Sequence, residues 1–368
     1  FVPVFVTISI LTFFISHYFF NIPFNDAFLR SIAVLVISCP CAMGLATPTA
    51  IMVGIGRAAK NGILIKGGLT LEKMASIKNI AFDKTGTITT GNFKILDLNI
   101  IDGNEDEIKN IIYNIEKHSS HPIANSLINE LKDYSKKLNI KNIDETNGLG
   151  ITAQINNDIY FIGKEVSSNQ KRKFDFYLKK NDSIIATINL KDEIKDETQE
   201  IINNLKEEYT TSLISGDRKE KCDELNKTLL FDKVFSNQSP EDKLKIIEKL
   251  NKENNTLMVG DGINDAPALS KATLGVSLGN ASQIAIQSSE IILLNNENLK
   301  QLPKALTISK HTLLTIKQNL FWAFSYNIIA IPIACLGYLN PMWAALFMAF
   351  SDVIVIGNSI RLKFKRIF

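Results

Sequence analysis

The sequence predicts a helical membrane domain joined to a soluble α/β domain, with a separate α+β domain inserted into the latter. Apolar residues are concentrated at the two ends of the 368-residue chain, whereas residues 60–310 are rich in Lys, Asn, Asp, Glu and Ile. Short apolar runs alternate with helical patterns in that middle part, which is typical of an open α/β sheet. The stretch 93–189 interrupts the alternation and contains hairpin-like runs at 150–163 and 182–190, which indicates an inserted domain.

Four apolar segments are long enough to cross a bilayer, which takes about 20 helical residues. A basic tail, 361–366, follows the last of them, and positive flanks favour the cytoplasmic side. We therefore predict a multi-pass integral membrane protein whose soluble part is cytoplasmic. The four segments are 1–20, 31–56, 320–337 and 342–360. The expected domain boundaries are 1–70 and 304–368 for the membrane helices, 71–92 and 190–303 for the α/β domain, and 93–189 for the inserted domain.

The overall composition argues against two other classes of protein. The chain has 41 basic and 38 acidic residues, a balance that does not favour nucleic-acid binding. Its four cysteines include no Cys-x-x-Cys pair, so neither a disulfide framework nor a small Cys-x-x-Cys metal-binding domain is predicted. The first residue, Phe1, lies in an apolar run without the basic region of a signal peptide, and this predicts a chain truncated at its N-terminus.

Three apolar runs of the α/β domain are each followed directly by polar residues, beginning at Asp83, Ser215 and Gly260. Ligands of open α/β sheets bind beyond the carboxyl ends of the strands, so these clusters are expected to form one site. A carboxylate at the position of Asp83 can attack the γ-phosphate of ATP and form an aspartyl-phosphate. The three runs are 77–82, 211–214 and 256–259.

Other polar residues near these runs suit phosphoryl transfer. Asp261 and Asp265 offer the hard oxygen ligands that Mg²⁺ prefers. Lys243, at the start of a helical pattern, can neutralise the charge of the phosphoryl group, and Ser215 can donate a hydrogen bond to it. The alternative is that Asp83 is a turn residue, because Asp-x-x-Gly is common in turns, but three such clusters together favour a site. No Gly-x4-Gly-Lys-Ser/Thr sequence occurs, which argues against a Walker-type ATPase.

The second apolar segment contains two cysteines separated by a proline. Pro40 cannot donate the helical hydrogen bond and opens the helix, and polar groups at that depth are tolerated only along a protected path. Two thiolates on a broken helix, Cys39 and Cys41, select a soft ion such as Cu(I), with Zn(II) the alternative on thiols alone. The remaining interpretation is two structural thiols beside a kink.

Further polar or soft groups occur in the last two apolar segments. Met348 offers a thioether suited to Cu(I). Asn327 and Ser351 suit the same path, although such residues more often bond between helices. Asp352 is functional by default because a carboxylate within a membrane is costly.

Long motifs in this order resemble those of the heavy-metal-transporting P-type ATPases, specifically the copper-exporting branch. The motifs cover most of the chain and begin with a Cys-Pro-Cys-Ala-Met-Gly-Leu-Ala-Thr-Pro-Thr run at 39–49. Asp-Lys-Thr-Gly-Thr-Ile-Thr follows at 83–89 and Gly-Asp-Gly-Ile-Asn-Asp-Ala-Pro-Ala-Leu at 260–269. Gln-Asn-Leu-Phe-Trp-Ala-Phe at 318–324, with Tyr-Asn at 326–327, completes the resemblance.

The resemblance implies ATP-driven transport of Cu(I) (Cu⁺) through an aspartyl-phosphate. It also implies a haloacid-dehalogenase-like, Rossmann-type phosphorylation domain, a nucleotide-binding domain inserted into it, Mg²⁺ as cofactor, and delivery of the ion by a soluble metal chaperone. The catalytic residues implied are Asp83, Lys84, Thr85, Thr87, Ser215, Asp217 and Lys243, with Asp261 and Asp265 for Mg²⁺. The implied ATP-binding residues are Glu116, His121, Gly148, Gly150 and Gly163. The implied ligands of the transported ion are Cys39, Cys41, Tyr326, Asn327, Met348 and Ser351.

The sequence departs from the pattern of this family at three places. Ser215 stands where Thr is usual, Lys164 follows Gly163 where Asn is usual, and Asp352 follows Ser351 where a second Ser is usual. The third apolar segment lacks the lysine expected of the zinc branch. The alternatives are transport of Ag(I) or Zn(II), a membrane-tethered aspartyl-phosphate phosphatase, and a non-catalytic metal receptor. No Thr-Gly-Glu triplet occurs, which predicts a phosphoenzyme that persists.

Overall fold

The computed structural model describes residues 2–119, 122–146, 149–163, 174–295 and 298–366. The chain divides into two compact units, one of Phe1–Phe82 with Gln199–Phe368 and the other of Asp83–Thr198. The α-helices are α1 Val2–Phe14, α2 Phe24–Ile37, α3 Cys41–Lys60, α4 Gly68–Ala75, α5 Glu105–Glu116, α6 Pro122–Glu130, α7 Thr198–Lys206, α8 Lys219–Leu229, α9 Pro240–Glu253, α10 Ala266–Lys271, α11 Gln283–Ser288, α12 Gln301–Cys335 and α13 Pro341–Arg361. The strands are β1 Ile63–Ile65, β2 Asn79–Asp83, β3 Thr89–Ile100, β4 Ile140–Thr146, β5 Gly150–Ile155, β6 Asp158–Gly163, β7 Phe176–Lys180, β8 Ser183–Ile194, β9 Thr210–Ile214, β10 Lys233–Phe235, β11 Thr256–Gly260, β12 Leu274–Leu278 and β13 Ile291–Leu293.

The first unit contains a sheet of strand order β1-β13-β12-β11-β2-β9-β10. The strands β2, β11, β12 and β13 run parallel, and β1 pairs antiparallel with β13 at the edge. Every residue of β2 and β11 is buried, which is the pattern of strands covered on both faces. The three apolar runs identified in the sequence thus lie in β2, β9 and β11, three adjacent strands, and the predicted open α/β sheet is present.

The second unit contains a sheet of order β3-β8-β7-β6-β5-β4, in which each paired neighbour is antiparallel. Its core includes Ile112 of α5, Leu127 of α6 and Leu178 of β7. The predicted hairpin at 150–163 is present as β5 and β6. The hairpin-like run predicted at 182–190 is not itself a hairpin, because residues 183–190 belong to one long strand, β8. The turn lies just before it, at Asn181 and Asp182, which both have positive φ, as a two-residue hairpin turn requires.

Helices of the first unit carry the apolar ends of the chain. Two helical segments are long and apolar enough to cross a membrane, Phe24–Lys60 and Pro341–Phe364, and Pro3–Phe19 is a shorter apolar helix. The predicted span 31–56 consists of two helices, because α2 ends at Ile37 and α3 begins at Cys41, directly after Pro40. The predicted span 320–337 belongs to a helix of 35 residues, α12, which begins at Gln301.

Small side chains allow the membrane helices to pack closely. Ala33 of α2 and Ala330 and Ala334 of α12 belong to one buried cluster, and Ala46 of α3 packs with Ala323 in another. Close packing of small residues is the usual basis of helix association in a bilayer. At the opposite end of α12, the Gln301 side-chain amide donates a hydrogen bond to the carbonyl oxygen that follows α3, that of Asn61, at 2.9 Å.

Candidate functional site

Three aspartates meet at the carboxyl ends of two adjacent strands. Asp83 is the last residue of β2, and Asp261 and Asp265 follow β11. Carboxylate oxygens of the three lie within 4.8 Å of one another. Asp83 and Asp265 are buried and Asp261 is half-buried. Three carboxylates at this separation repel one another unless a cation lies between them, and hard oxygen ligands suit Mg²⁺. The donor set therefore fits the predicted Mg²⁺ site.

A lysine from the first turn of α9 reaches this cluster. The Nζ of Lys243 lies 2.8 Å from Oδ1 of Asp265, and both side chains are buried. The helix begins at a capping box, in which Ser239 accepts a hydrogen bond from the backbone of Asp242 while the Asp242 carboxylate accepts one from the backbone of Ser239. Pro240 at the first helical position favours the same start. This local sequence fixes the direction in which Lys243 enters the site, where its charge offsets that of the carboxylates.

The segment after Asp83 forms a tight loop with a buried hydroxyl. Gly86 has φ of 73°, a conformation that favours glycine, and its carbonyl oxygen accepts a 2.7 Å hydrogen bond from Nζ of Lys195. Lys84 is buried, whereas Thr85 is exposed. The Thr87 side chain is fully buried and its Oγ1 has no hydrogen-bond partner among the described residues. A buried hydroxyl without a partner is costly, and it is a suitable donor to a phosphate oxygen.

The third cluster follows the neighbouring strand, β9. Ser215 is buried, and its Oγ accepts a 3.1 Å hydrogen bond from the backbone N–H of Asp217, which is itself half-buried. The backbone N–H of Ser215 donates to the carbonyl oxygen of Phe235 in β10. Since β9 lies next to β2, the structure places Ser215 and Asp217 at the same edge of the sheet as Asp83.

The predicted nucleotide residues that the structure describes lie in the second unit. Glu116, at the end of α5, is buried. Gly150 and Gly163 face each other across β5 and β6, and a Cβ on either would lie 2.3 Å from a backbone oxygen. Both positions therefore require glycine for packing, whatever further role they have. His121 and Gly148 lie outside the described residues.

Burial makes the Glu116 carboxyl a weaker acid than an exposed glutamate. Desolvation, with a smaller contribution from the charge of Glu145, raises the pKa of Glu116 to about 7. The folded unit then binds more protons than the unfolded chain between pH 4.5 and 7. The stability that protonated Glu116 contributes is present at low pH and is lost as the pH rises through this window.

Replacing Glu116 by Gln should remove this pH dependence. We expect Glu116→Gln to raise the opening free energy of α5 by up to about 3 kcal/mol at pH 8, and by much less at pH 4.5. Native-state hydrogen exchange of the α5 amides in the whole chain measures this quantity. Glu107→Gln, an exposed substitution on the same helix, is the control. Equal effects of the two substitutions at pH 8 would contradict the assignment.

A second site lies among the membrane helices. A small cavity brings together five of the six side chains predicted to bind the transported ion, with contributions from the segment before α3 and from α3, α12 and α13. The sixth, Cys41, does not line the cavity, but its sulfur is bonded to that of Cys39, which does. The residues lining the cavity are Cys39, Pro40, Ala42, Met43, Ala323, Tyr326, Asn327, Met348 and Ser351.

The sequence predicted no disulfide framework and two thiolates at Cys39 and Cys41, whereas the sulfurs of these two residues are bonded to each other in the structure. The two Cα atoms lie 5.5 Å apart, a separation that a disulfide accommodates. Only thiolates bind soft metal ions, so the pair offers two sulfur ligands when it is reduced.

Asp352 lies one helical turn after Met348 and does not line the cavity. Its Oδ1 is buried and has no hydrogen-bond partner among the described residues. Tyr326 does line the cavity, and its hydroxyl is also buried without a hydrogen-bond partner among the described residues. Buried polar atoms of this kind are rare in native structures, and a bound water or ion is one explanation for them.

A buried polar network that the sequence motifs did not predict lies between α3, α12 and α13. The side-chain amide of Asn319 in α12 donates to the carbonyl oxygen of Ala46 at 3.1 Å and to Oγ of Ser359 in α13 at 2.9 Å. Asn358 donates to Oδ1 of Asn319 at 2.8 Å, and Thr49 in α3 shares a hydrogen bond with Ser359. The network joins three helices. Asn319 precedes Tyr326 by seven residues, two helical turns, which is the sequence signal that places both on one face.

Comparison with known proteins gives a family match to the middle of the chain and matches to relatives over nearly its whole length. A family model described as haloacid dehalogenase-like hydrolase matches residues 77–273. The copper-exporting P-type ATPase of Staphylococcus haemolyticus (strain JCSC1435) is 38% identical over 384 residues, which are 99% of this chain and 48% of that protein. The protein of the same name from Staphylococcus aureus (strain MRSA252) is 38% identical over 389 residues, 100% and 48% of the two chains. The chain thus spans about half the length of these curated relatives.

Solved structures extend the similarity to the fold. A zinc-transporting PIB-type ATPase in the E2.Pi state superposes with a TM-score of 0.79 at 27% identity, over 98% of this chain and 62% of that one. The catalytic domain of the CPx-ATPase CopB-B matches with a TM-score of 0.61 at 32% identity, over 70% of this chain and 98% of that domain. The predicted combination of helices, phosphorylation domain and inserted domain is confirmed by these neighbours.

Proposed function

The chain belongs to the haloacid dehalogenase-like hydrolases and, within them, to the P-type ATPases, and on this premise we propose that it couples phosphorylation of Asp83 by ATP to transport of Cu(I) across a membrane. The chain is then the catalytic and ion-binding part of an integral membrane protein. In this proposal the α/β domain and the inserted domain are cytoplasmic, and a soluble metal chaperone supplies the ion.

The cluster of Asp83, Asp261 and Asp265 carries this proposal. A carboxylate oxygen of Asp83 forms a bond to the γ-phosphorus of ATP while the bond from that phosphorus to the bridging oxygen breaks, and ADP leaves. Asp261 and Asp265 would hold Mg²⁺, which would supply positive charge to neutralise the phosphoryl oxygens. Lys243 adds a positive charge 2.8 Å from Asp265, and buried Thr87 offers a hydroxyl donor.

The second unit is the proposed site of the nucleotide. The buried carboxyl of Glu116, protonated below about pH 7, is a hydrogen-bond donor. The β5 and β6 backbones approach each other closely at Gly150 and Gly163, and the ring of Phe161 lies against both glycines. A buried donor of this kind suits a ring nitrogen of a heteroaromatic base such as adenine.

The donor atoms of the membrane cavity favour Cu(I) as the ion. The reduced pair Cys39 and Cys41 offers two thiolates, and Met348 adds a thioether. Thiolate and thioether sulfur are soft ligands that select Cu(I). The same set suits Ag(I), whose chemistry is similarly soft. Tyr326, Asn327 and Ser351 add neutral oxygen and nitrogen atoms to the wall of the cavity.

Zn(II) is the second candidate, and one observation favours it. Asp352 places a carboxylate oxygen without a partner one helical turn from Met348. Carboxylate oxygen is a ligand for Zn(II) and is not one that Cu(I) prefers.

Phosphorylation by γ-labelled ATP under a panel of metal ions tests the proposal. In reconstituted vesicles with a thiol reductant, Cu(I) and Ag(I) should stimulate labelling above a chelator-treated baseline and Zn(II) should not. Asp352→Ser should leave the half-saturating Cu(I) concentration within about twofold, whereas a Zn(II) site would lose about tenfold in affinity. Stimulation by Zn(II) that Asp352→Ser removes would replace copper by zinc. Phosphate-ester hydrolysis without metal stimulation would instead support a tethered phosphatase.

A further inference from the structure

Four basic side chains from three helices meet where the last helix leaves the membrane. They are Arg57 near the end of α3, His311 in α12, Arg361 at the end of α13, and Lys365 just beyond it; we call this set the boundary cluster. Arg57 is buried, and its guanidinium donates a 2.8 Å hydrogen bond to the carbonyl oxygen of Leu362. This bond fixes the end of α3 against the turn that follows α13.

The members of the boundary cluster are close enough to perturb one another. Burial lowers the pKa of Lys365, and the positive charges of Arg361 and Arg57 lower it further. Burial likewise lowers the pKa of His311, followed by the charges of Lys365 and Arg57. Both groups are therefore affected by the charge of Arg57, and His311 is also affected by that of Lys365, so these charges lie near one another.

Carboxylates do not balance this charge. Within the described ranges, the ion pairs involve other lysines, and none joins an Asp or Glu to a member of the boundary cluster. The Nδ1 of His311 is buried and has no hydrogen-bond partner among those residues. Like charges held together in a partly buried place cost free energy, and an anion with several acceptor oxygens offsets that cost.

The surroundings of the boundary cluster specify the kind of anion. It lies at the ends of two helical segments apolar enough to cross a membrane, Phe24–Lys60 and Pro341–Phe364. Two large apolar side chains beside it are exposed, Ile360 at 49% and Phe364 at 77%. A ligand that contacts both features has an anionic group next to hydrocarbon. Lysines and arginines directly beyond a membrane helix also attract the anionic headgroups of the adjacent leaflet.

We propose that the boundary cluster binds the phosphate of an anionic phospholipid, with the acyl chains of the lipid against Ile360 and Phe364. Arg57 and Arg361 present planar groups of donors that match phosphate oxygens. Lys365 adds a point charge, and His311 adds a nitrogen that is otherwise without a partner. Bound lipid then joins the end of α3, the third turn of α12 and the segment that follows α13. This site is independent of the phosphorylation and metal sites proposed above.

Lys365 and Lys363 form a matched pair for the test, because they carry the same charge two residues apart. Lys363 is exposed, whereas Lys365 is half-buried within the boundary cluster. Native mass spectrometry of the whole chain in detergent, titrated with phosphatidylglycerol or phosphatidylcholine, measures the affinity for each lipid. We expect a preference for phosphatidylglycerol that Lys365→Gln reduces roughly fivefold. Lys363→Gln should change it less than about twofold, and Lys365→Arg should preserve it.

Two results would overturn the proposal. Equal losses for Lys363→Gln and Lys365→Gln would mean that the basic tail acts through its general surface potential and that no defined site exists. Displacement of phosphatidylglycerol by inorganic phosphate at equal concentration would assign the site to a soluble anion instead of a lipid. Equal affinities for phosphatidylglycerol and phosphatidylcholine would also contradict the proposed site for an anionic phospholipid. Both lysines lie beyond the last α-helix, and circular dichroism of each chain serves as the check on folding.

Discussion

Asp83→Asn is expected to abolish covalent labelling of the chain by γ-labelled ATP, with a loss of at least about a thousandfold in the rate of labelling. The amide has nearly the shape of the carboxylate but no nucleophilic oxygen, so the bond to phosphorus cannot form. The buried position of Asp83 at the end of β2 leaves little room for another side chain to replace it. The wild-type label should be stable in acid and sensitive to hydroxylamine, which are the properties of an acyl phosphate.

Asp97→Asn is the matched control for this experiment. It makes the same chemical change at an exposed position of β3 and should leave labelling unchanged. Undiminished labelling of Asp83→Asn would show that phosphoryl transfer uses another residue. Loss of labelling in both variants would indicate a general effect of charge, and would equally remove the assignment to Asp83.

Replacing both Cys39 and Cys41 by Ser should abolish stimulation of phosphorylation by Cu(I) while ATP binding remains. The substitution removes two soft sulfur ligands and leaves hard hydroxyls, and we expect the Cu(I) affinity to fall at least about a hundredfold. Because the two sulfurs are bonded to each other in the structure, the assay requires a thiol reductant. Without it, the wild-type protein should itself show little stimulation, since a disulfide presents no thiolate.

Cys335→Ser provides the control for the metal-binding pair. This cysteine is a free thiol near the end of α12, and its sulfur accepts a hydrogen bond from Thr12 at 3.3 Å. It does not line the cavity, so Cu(I) stimulation should survive its replacement. Survival of Cu(I) stimulation in the Cys39 and Cys41 double variant would place the ion path elsewhere.

The phosphoryl-transfer residues could be located from the sequence because strand ends are visible there. An apolar run of four to six residues followed by a polar cluster marks the carboxyl end of a buried strand, and parallel neighbours bring such ends to one edge. The sequence therefore predicted that Asp83, Asp261 and Asp265 lie together, which the structure shows. Their roles in phosphoryl transfer remain a prediction.

Contacts between distant helices could not be predicted in the same way. The hydrogen bonds of Asn319 to Ala46 and Ser359 join residues that are 273 and 40 positions apart, and apolar periodicity does not indicate which faces meet. The boundary cluster could not be predicted for the same reason, since Arg57 and Lys365 are far apart in the sequence. The disulfide was missed for a different reason: the separation of two cysteines around a proline depends on backbone angles that the sequence does not specify.

The continuity of α12 has a mechanical consequence. About 25 residues separate Gln301 from Tyr326, so an unbroken rod of about 38 Å connects the loop after α3 to the wall of the cavity. Two hydrogen bonds, from Gln301 to Asn61 and from Asn319 to Ala46, connect this helix to α3 and the residue after it; the first residue of α3 is Cys41. Two such contacts along the pair oppose sliding of α12 past α3. We therefore expect a displacement near Gln301 to be transmitted along α12 and α3 toward Tyr326 and Cys41, at two of the helices that line the cavity.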